Sequence, residues 1–196
     1  MKKSILTLCA ATLLTFSLSS TSFAQVKLPQ ASSTTSITQG LGIKNLSLSY
    51  QRPNINGRVI FGGLVPYNEV WRTGANNIPV IKFEEEVTIE GNKVPAGTYG
   101  ILTIPTQGEW TIILTKNSNQ WGAYTYDPKQ DVVDVTVPVN KLADKQEWFE
   151  ITLNPTDENS GNLVIKWDMA QAEIALKPAK PEAVTKIAEK LKEIKK

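Results

Sequence analysis

The chain has 196 residues, 21 basic and 19 acidic side chains and a formal net charge of +2, far from the basic field of a nucleic-acid binder. It contains no histidine and a single cysteine, Cys9, which excludes a Ser-His-Asp triad, a disulfide and the usual His/Cys zinc site. Any hydrolysis would have to run on carboxylates, Tyr, Lys or an oxygen-ligated metal.

Residues 1–24 read as an export signal. Lys2 and Lys3 form a basic start, "SILTLCAATLLTFSLSS" an apolar middle, and Ser22 and Ala24 the small residues that a signal peptidase accepts. The apolar run is broken by Ser and Thr and is short for a bilayer span. Cys9 lies inside it, too early for a lipoprotein cysteine. Cleavage after Ala24 would leave a chain beginning at Gln25, periplasmic or extracellular. That chain has no thiol and no imidazole, and its charge balances: with Lys2 and Lys3 gone, 19 basic residues face 19 acidic ones.

From about residue 33 to 176 the pattern is one of short strands separated by turns. "SSTTSIT", rich in β-branched residues, reads as a strand hairpinned through Gly40 and Gly42 to "NLSLSY". There Leu46, Leu48 and Tyr50 share a face. The same period of two aligns Trp110 with Ile112 and Leu114, and Val133 with Val135, Val137 and Val139. It also aligns Phe149 with Ile151 and Leu153, and Leu163 with Ile165 and Trp167. "VPAGTY" has turn chemistry, and "EEE" at 84–86 reads as a solvated turn. "QWGAYTYD" reads as a further strand, with Trp121, Ala123 and Thr125 on one face and Tyr124 and Tyr126 on the other. Nine or ten such strands predict an all-β, antiparallel β-sandwich, a single domain over 25–178.

The C-terminus changes character. In 179–196, Val184, Ile187, Ala188, Leu191 and Ile194 recur at helical spacing, with Pro181 and Glu182 at the start and lysines at the end. A helix this short is marginal alone, so its apolar stripe is expected to dock on the sandwich, or else on a partner or membrane surface.

The segment 50–76 is the least strand-like. It gathers all three arginines, Arg52, Arg58 and Arg72, whereas the other basic residues are lysines spread along the chain. A guanidinium pairs with a carboxylate or phosphate in two-point fashion, which Lys cannot copy. Two roles fit this clustering. The arginines form a cradle for an anionic ligand, or they brace the segment against internal acids such as Glu69 or Asp127.

"YQRP", "GRVIFGGLVPYNEVWRTGAN", "VPAGTYGILTIP", "EWTII" and "QWGAYTYD", in this order, resemble a bacterial, typically exported family known as domain of unknown function 2911. The resemblance covers roughly residues 32–176. It implies a single exported domain and no particular activity, substrate or catalytic residue.

The candidate ligand-binding residues are therefore Arg52, Arg58, Tyr67, Glu69, Arg72 and Asn76 in the Gly- and Pro-rich segment, with Trp121, Tyr124, Tyr126 and Asp127 beyond it. Exposed aromatic faces among them would suit sugar stacking, while core packing explains most tryptophans of a sandwich. Asp127, Asp131 and Asp134 lack the spacing of an EF-hand loop. No catalytic residue, metal or cofactor is assigned. The first expectation is a non-catalytic exported sandwich that binds a ligand or partner through 50–76: a small molecule, a glycan or an envelope protein, and no nucleic acid. Two alternatives stand beside it. One is a carboxylate-dependent glycan hydrolase, with Glu69 and Asp127 the first pair to consider. The other is a structural component of an envelope complex, with the C-terminal helix as its docking element.

Overall fold

A computed structural model describes residues 31–42, 44–157 and 159–194. The expected signal segment 1–24 lies outside the described residues. Among those described, nine strands and one helix follow in order: β1 (Ser33–Leu41), β2 (Lys44–Arg52), β3 (Val80–Phe83), β4 (Val87–Ile89), β5 (Asn92–Val94), β6 (Gly97–Pro105), β7 (Glu109–Thr115), β8 (Asp131–Pro155), β9 (Gly161–Pro178) and α1 (Pro181–Ile194). All pairings are antiparallel, and the spatial order is β1-β2-β3-β6-β7-β8-β9-β4-β5.

Two very long strands make this sheet a sandwich. The start of β8, Asp131 to Pro138, pairs with β7, and from Val139 onward it pairs with β9. Register shifts between Lys141 and Glu150 bend it where it changes partner. The sheet thereby folds over on itself. Leu46, Leu48, Ile81, Phe83, Ile112 and Leu114 from one half meet Val87, Ile89, Leu163, Ile165, Ile174 and Leu176 from the other in one core. The alternation in "NLSLSY", "EWFEITL" and "NLVIKW" puts the anticipated side chains inside: Tyr50, Phe149, Ile151, Leu163, Ile165 and Trp167 are all buried. A void of about 10 Å³ between the halves is lined by apolar residues such as Phe83, Ile112 and Leu163.

The "SSTTSIT" segment is β1, hairpinned to β2 with Leu41 opposite Lys44. The "EEE" turn is tied down as well as solvated. Glu85 Oε1 accepts a hydrogen bond from the Lys44 N–H (3.1 Å) and Glu84 Oε2 one from the Asn45 N–H (3.3 Å), so the acids hold the β1–β2 turn.

Two expectations need correction. Residues 121–127 do not form a strand. Gly122, with φ +70, turns the chain, and the Tyr126 N–H bonds back to the Ala123 carbonyl (3.2 Å), so only one isolated bridge, Asn77 to Trp121, remains. The helix exists, but its described apolar side chains are not docked. Ile187, Leu191 and Ile194 are 44%, 53% and 80% exposed. The side chains of Val184 and Ala188 lie outside the description. Periodicity reports that a helix has an apolar stripe, not what covers it. Among the described residues no helix is long and apolar enough to cross a membrane.

Candidate functional site

Residues 53–79 run between β2 and β3 across one end of the sandwich, and backbone hydrogen bonds pin them along their length. Phe149 N–H donates to Pro53 O (2.8 Å), Ile55 N–H to Glu147 O (2.9 Å), and Asn68 N–H to Pro105 O (2.8 Å). Trp71 and Thr103 exchange both of their bonds, at 2.7 and 3.0 Å. An irregular segment in a compact domain must satisfy its backbone in this piecemeal way. It also contributes to the core, since Ile55, Ile60, Val65, Trp71 and Ile78 are buried.

Trp71 belongs to an aromatic floor. Its ring stacks on Trp167 with centroids 5.8 Å apart and planes 13° off parallel, and meets Phe149, Trp110 and Phe61 edge-on. Of the residues that follow, Arg72 is partly exposed and Thr73, Gly74 and Ala75 are buried. Thr73 is buried with its hydroxyl 2.8 Å from that of Thr103. Gly74 has φ +140, and a Cβ there would lie 3.1 Å from the Gln51 carbonyl oxygen and 3.5 Å from the Phe149 ring. Asn76 donates through Nδ2 to the Gln51 side chain, and its carbonyl accepts from the Gly122 N–H at 2.9 Å. Asn76 is thus a fastener for two turns.

The three guanidiniums have three different environments. Arg52 is a brace: Nε donates to the Phe149 carbonyl (3.1 Å) and Nη2 lies 3.7 Å from Glu150 Oε1, both side chains 30% exposed. The acid that meets it is Glu150 of β8, not Glu69 or Asp127. Arg58 is held locally, Nε to the Ile55 carbonyl (2.9 Å) and Nη2 to that of Asn54. Arg72 is different. Its Nε is buried with no hydrogen-bond partner, and it enters none of the ion pairs among the described residues.

Arg72 stands between two clefts. One, of about 250 Å³, is lined by Ser32, Asn54, Arg58, Leu64, Trp71 and Arg72 over the edge of Trp167. The other, of about 160 Å³, is lined by Leu64, Pro66, Glu69, Val70, Trp71, Arg72, Ala123 and Tyr124. Leu64, Trp71 and Arg72 are common to both. Together they approach the smaller end of small-molecule sites. The first cleft has two arginines and no acid along its lining; the second adds Glu69. A third depression, about 280 Å³, lies on the outer face of β1, β2, β3 and β6 among Ser and Thr side chains, with neither arginine nor aromatic ring.

The remaining candidates divide. Trp121 and Tyr124 are 63% and 80% exposed and stack on each other, centroids 5.7 Å apart, forming an aromatic shelf that reaches the second cleft through Tyr124. The turn at Gly122 places them together, whereas strand alternation would have set them on opposite faces. Tyr67 is half-buried and packs over Gly62. Tyr126 turns inward and donates to Asp131 Oδ2 (2.7 Å). Burial, then that bond and the acids Asp131, Asp134 and Asp127, hold its phenol well above the ordinary value. Asp127 caps the 3-10 turn Pro128–Gln130 by accepting from the Lys129 N–H (3.1 Å) and lines neither cleft. Among the described residues no group of three or more acids converges to hold a metal. Nothing in the sequence pattern singles out Leu64, Asn54 or Ser32, which the fold brings to the clefts.

A family model described as "Protein of unknown function (DUF2911)" matches residues 32–176, and the chain belongs to that family. No curated protein and no solved structure matches it.

Proposed function

We propose that this DUF2911 member is an exported, non-catalytic binding protein whose ligand occupies the two clefts beside Arg72. One observation carries the reading: of three arginines in the segment, Arg52 and Arg58 each bond a backbone carbonyl through Nε, whereas Arg72 lines two clefts and its buried Nε has no partner. An unpaired buried donor costs about 1–3 kcal/mol, and a bound group that accepts from it recovers that loss. Non-catalytic binding fits the residues around it. Glu69 lines one cleft, but Asp127, the acid weighed with it for glycan hydrolysis, is engaged as a cap elsewhere.

The test is a thermal-shift and Trp-fluorescence screen of the chain from Gln25, using glycans and small anions, run in parallel on Arg72→Met. Compounds that stabilise the wild type and lose their effect in the variant support the reading. Compounds that stabilise both equally, or a screen with no stabilising compound, would sink it.

The exposed stripe of α1 favours a second reading, a structural component of an envelope complex. Deleting 179–196 and comparing cross-linked species in envelope extracts tests it; an unchanged pattern removes the helix as a docking element.

A further inference from the structure

We infer that the ligand is an amphiphilic oxyanion: a single carboxylate-like or phosphate-like head held by Arg72 in the acid-free cleft, and a ring or apolar body laid over Leu64 towards Tyr124. This deepens the reading above and rests on it.

The charge distribution fixes the end that takes the head. The cleft of Arg58 and Arg72 has two positive charges and no carboxylate along its lining, while the cleft on the other side of Arg72 has Glu69 on its wall. An anion is drawn to the first, while in the second Glu69 offsets the charge of Arg72. The number of heads follows from donor accounting. Arg58 has its Nε and Nη2 taken by the carbonyls of Ile55 and Asn54, so it contributes field rather than a free fork. Arg72 keeps its Nε unpartnered. Of the two, Arg72 is the guanidinium whose Nε is not taken by a carbonyl, so its planar fork is the one left to a carboxylate or a phosphoryl oxygen pair.

The body follows from the apolar lining. Beyond Arg72 the wall is made of Leu64, Pro66, Val70, Trp71 and Ala123, ending at Tyr124, which stacks on Trp121. Leu64 and Tyr124 are both substantially exposed. A hydrated inorganic ion would leave these surfaces wet, whereas a flat ring attached to the anionic head covers them. The small volume of the second cleft suits one or two rings, not an extended polymer.

Calorimetric titration of the chain from Gln25 tests this with compounds matched in shape: 2-naphthoate, 2-naphthyl phosphate, the neutral 2-naphthamide, and acetate as the head alone. The expected result is that one of the two anionic naphthyl compounds binds at least about tenfold more tightly than both the amide and acetate, the margin of one charge-assisted pair. The preferred anion tells a carboxylate ligand from a phosphate one. Arg72→Met removes that margin without altering amide binding, and Glu69→Gln leaves it intact or widens it. Equal binding of anion and amide overturns the inference while leaving a binding site in place. A margin that survives Arg72→Met places the head elsewhere and also overturns it. If none of the four binds, the inference fails, and the screen of glycans and anions decides separately whether the reading beneath it stands.

Discussion

Arg52 closes β2 and Arg72 lies in the irregular crossing that follows it, and the fold treats them oppositely. Around Arg52 the segment leaves β2 against β8, where the guanidinium meets the Phe149 carbonyl and Glu150. Around Arg72 the segment lies over the stacked indoles of Trp71 and Trp167, and the guanidinium borders two clefts with its Nε unpaired. The first arrangement ties two strands together. The second leaves a buried donor unsatisfied, as the fold also leaves Gln120 Nε2 and Asp131 Oδ1, but of these three residues only Arg72 lines the clefts. The same residue type thus serves the fold in one place and is available to a ligand in the other.

The comparison can be broken most drastically through the floor it rests on. Trp71→Ala would remove a buried indole that contacts four other aromatic rings and should cost about 3–5 kcal/mol in urea denaturation. A small loss would mean that the floor is not part of the core, and the cleft geometry above it would lose its support. Arg52→Met comes next. Losing the bond to the Phe149 carbonyl and a partly exposed ion pair should cost about 1–2 kcal/mol, with most of the loss surviving in high salt because the carbonyl bond is not an ion pair. A variant as stable as wild type would remove the brace.

Asp131 sharpens what an unpaired atom means. Its Oδ1 is also buried without a partner, yet it lines neither cleft. Burial raises its pKa, opposed by the Tyr126 hydroxyl and reinforced by Asp134 and Asp127. A carboxyl whose folded pKa is raised loses stability as pH climbs from below its ordinary value of 3.8 through the raised one. Asp131→Asn keeps an acceptor for Tyr126 and removes the charge. Its melting temperature should exceed that of wild type at pH 7, and the gain should vanish near pH 3. A gain independent of pH would place the effect outside Asp131 ionisation. Smallest of all is Leu191→Glu in α1, where an exposed side chain should leave stability within about 0.5 kcal/mol of wild type. A larger loss would show that the helix does pack on the sandwich.

Strand faces were legible because alternation is local: Leu46, Leu48 and Tyr50, or Leu163, Ile165 and Trp167, declare their burial within a few residues of each other. The continuity of β8 was not. Its two halves read as separate strands, and only the pairing with β7 and then β9 makes them one. The brace of Arg52 was legible as a type of interaction but not as a partner, since Glu150 is brought to it by the pairing of distant strands. "QWGAYTYD" misled because its aromatic alternation imitates a strand, and the positive φ of Gly122 overrides that signal. The clefts themselves depend on where the 53–79 crossing settles over Trp71 and Trp167. That placement is set by bonds to Thr103, Pro105 and Glu147, which no spacing in the segment announces.

The most direct measurement is the unfolding free energy of Arg72→Met against wild type, in the absence of ligand. The Met side chain keeps most of the apolar stem and removes the unsatisfied donor. If Arg72 is held in readiness for a ligand, the variant is as stable as wild type or more stable. If it unfolds about 1–2 kcal/mol more easily, as expected for Arg52→Met, then Arg72 is a second brace and the clefts beside it are not its purpose.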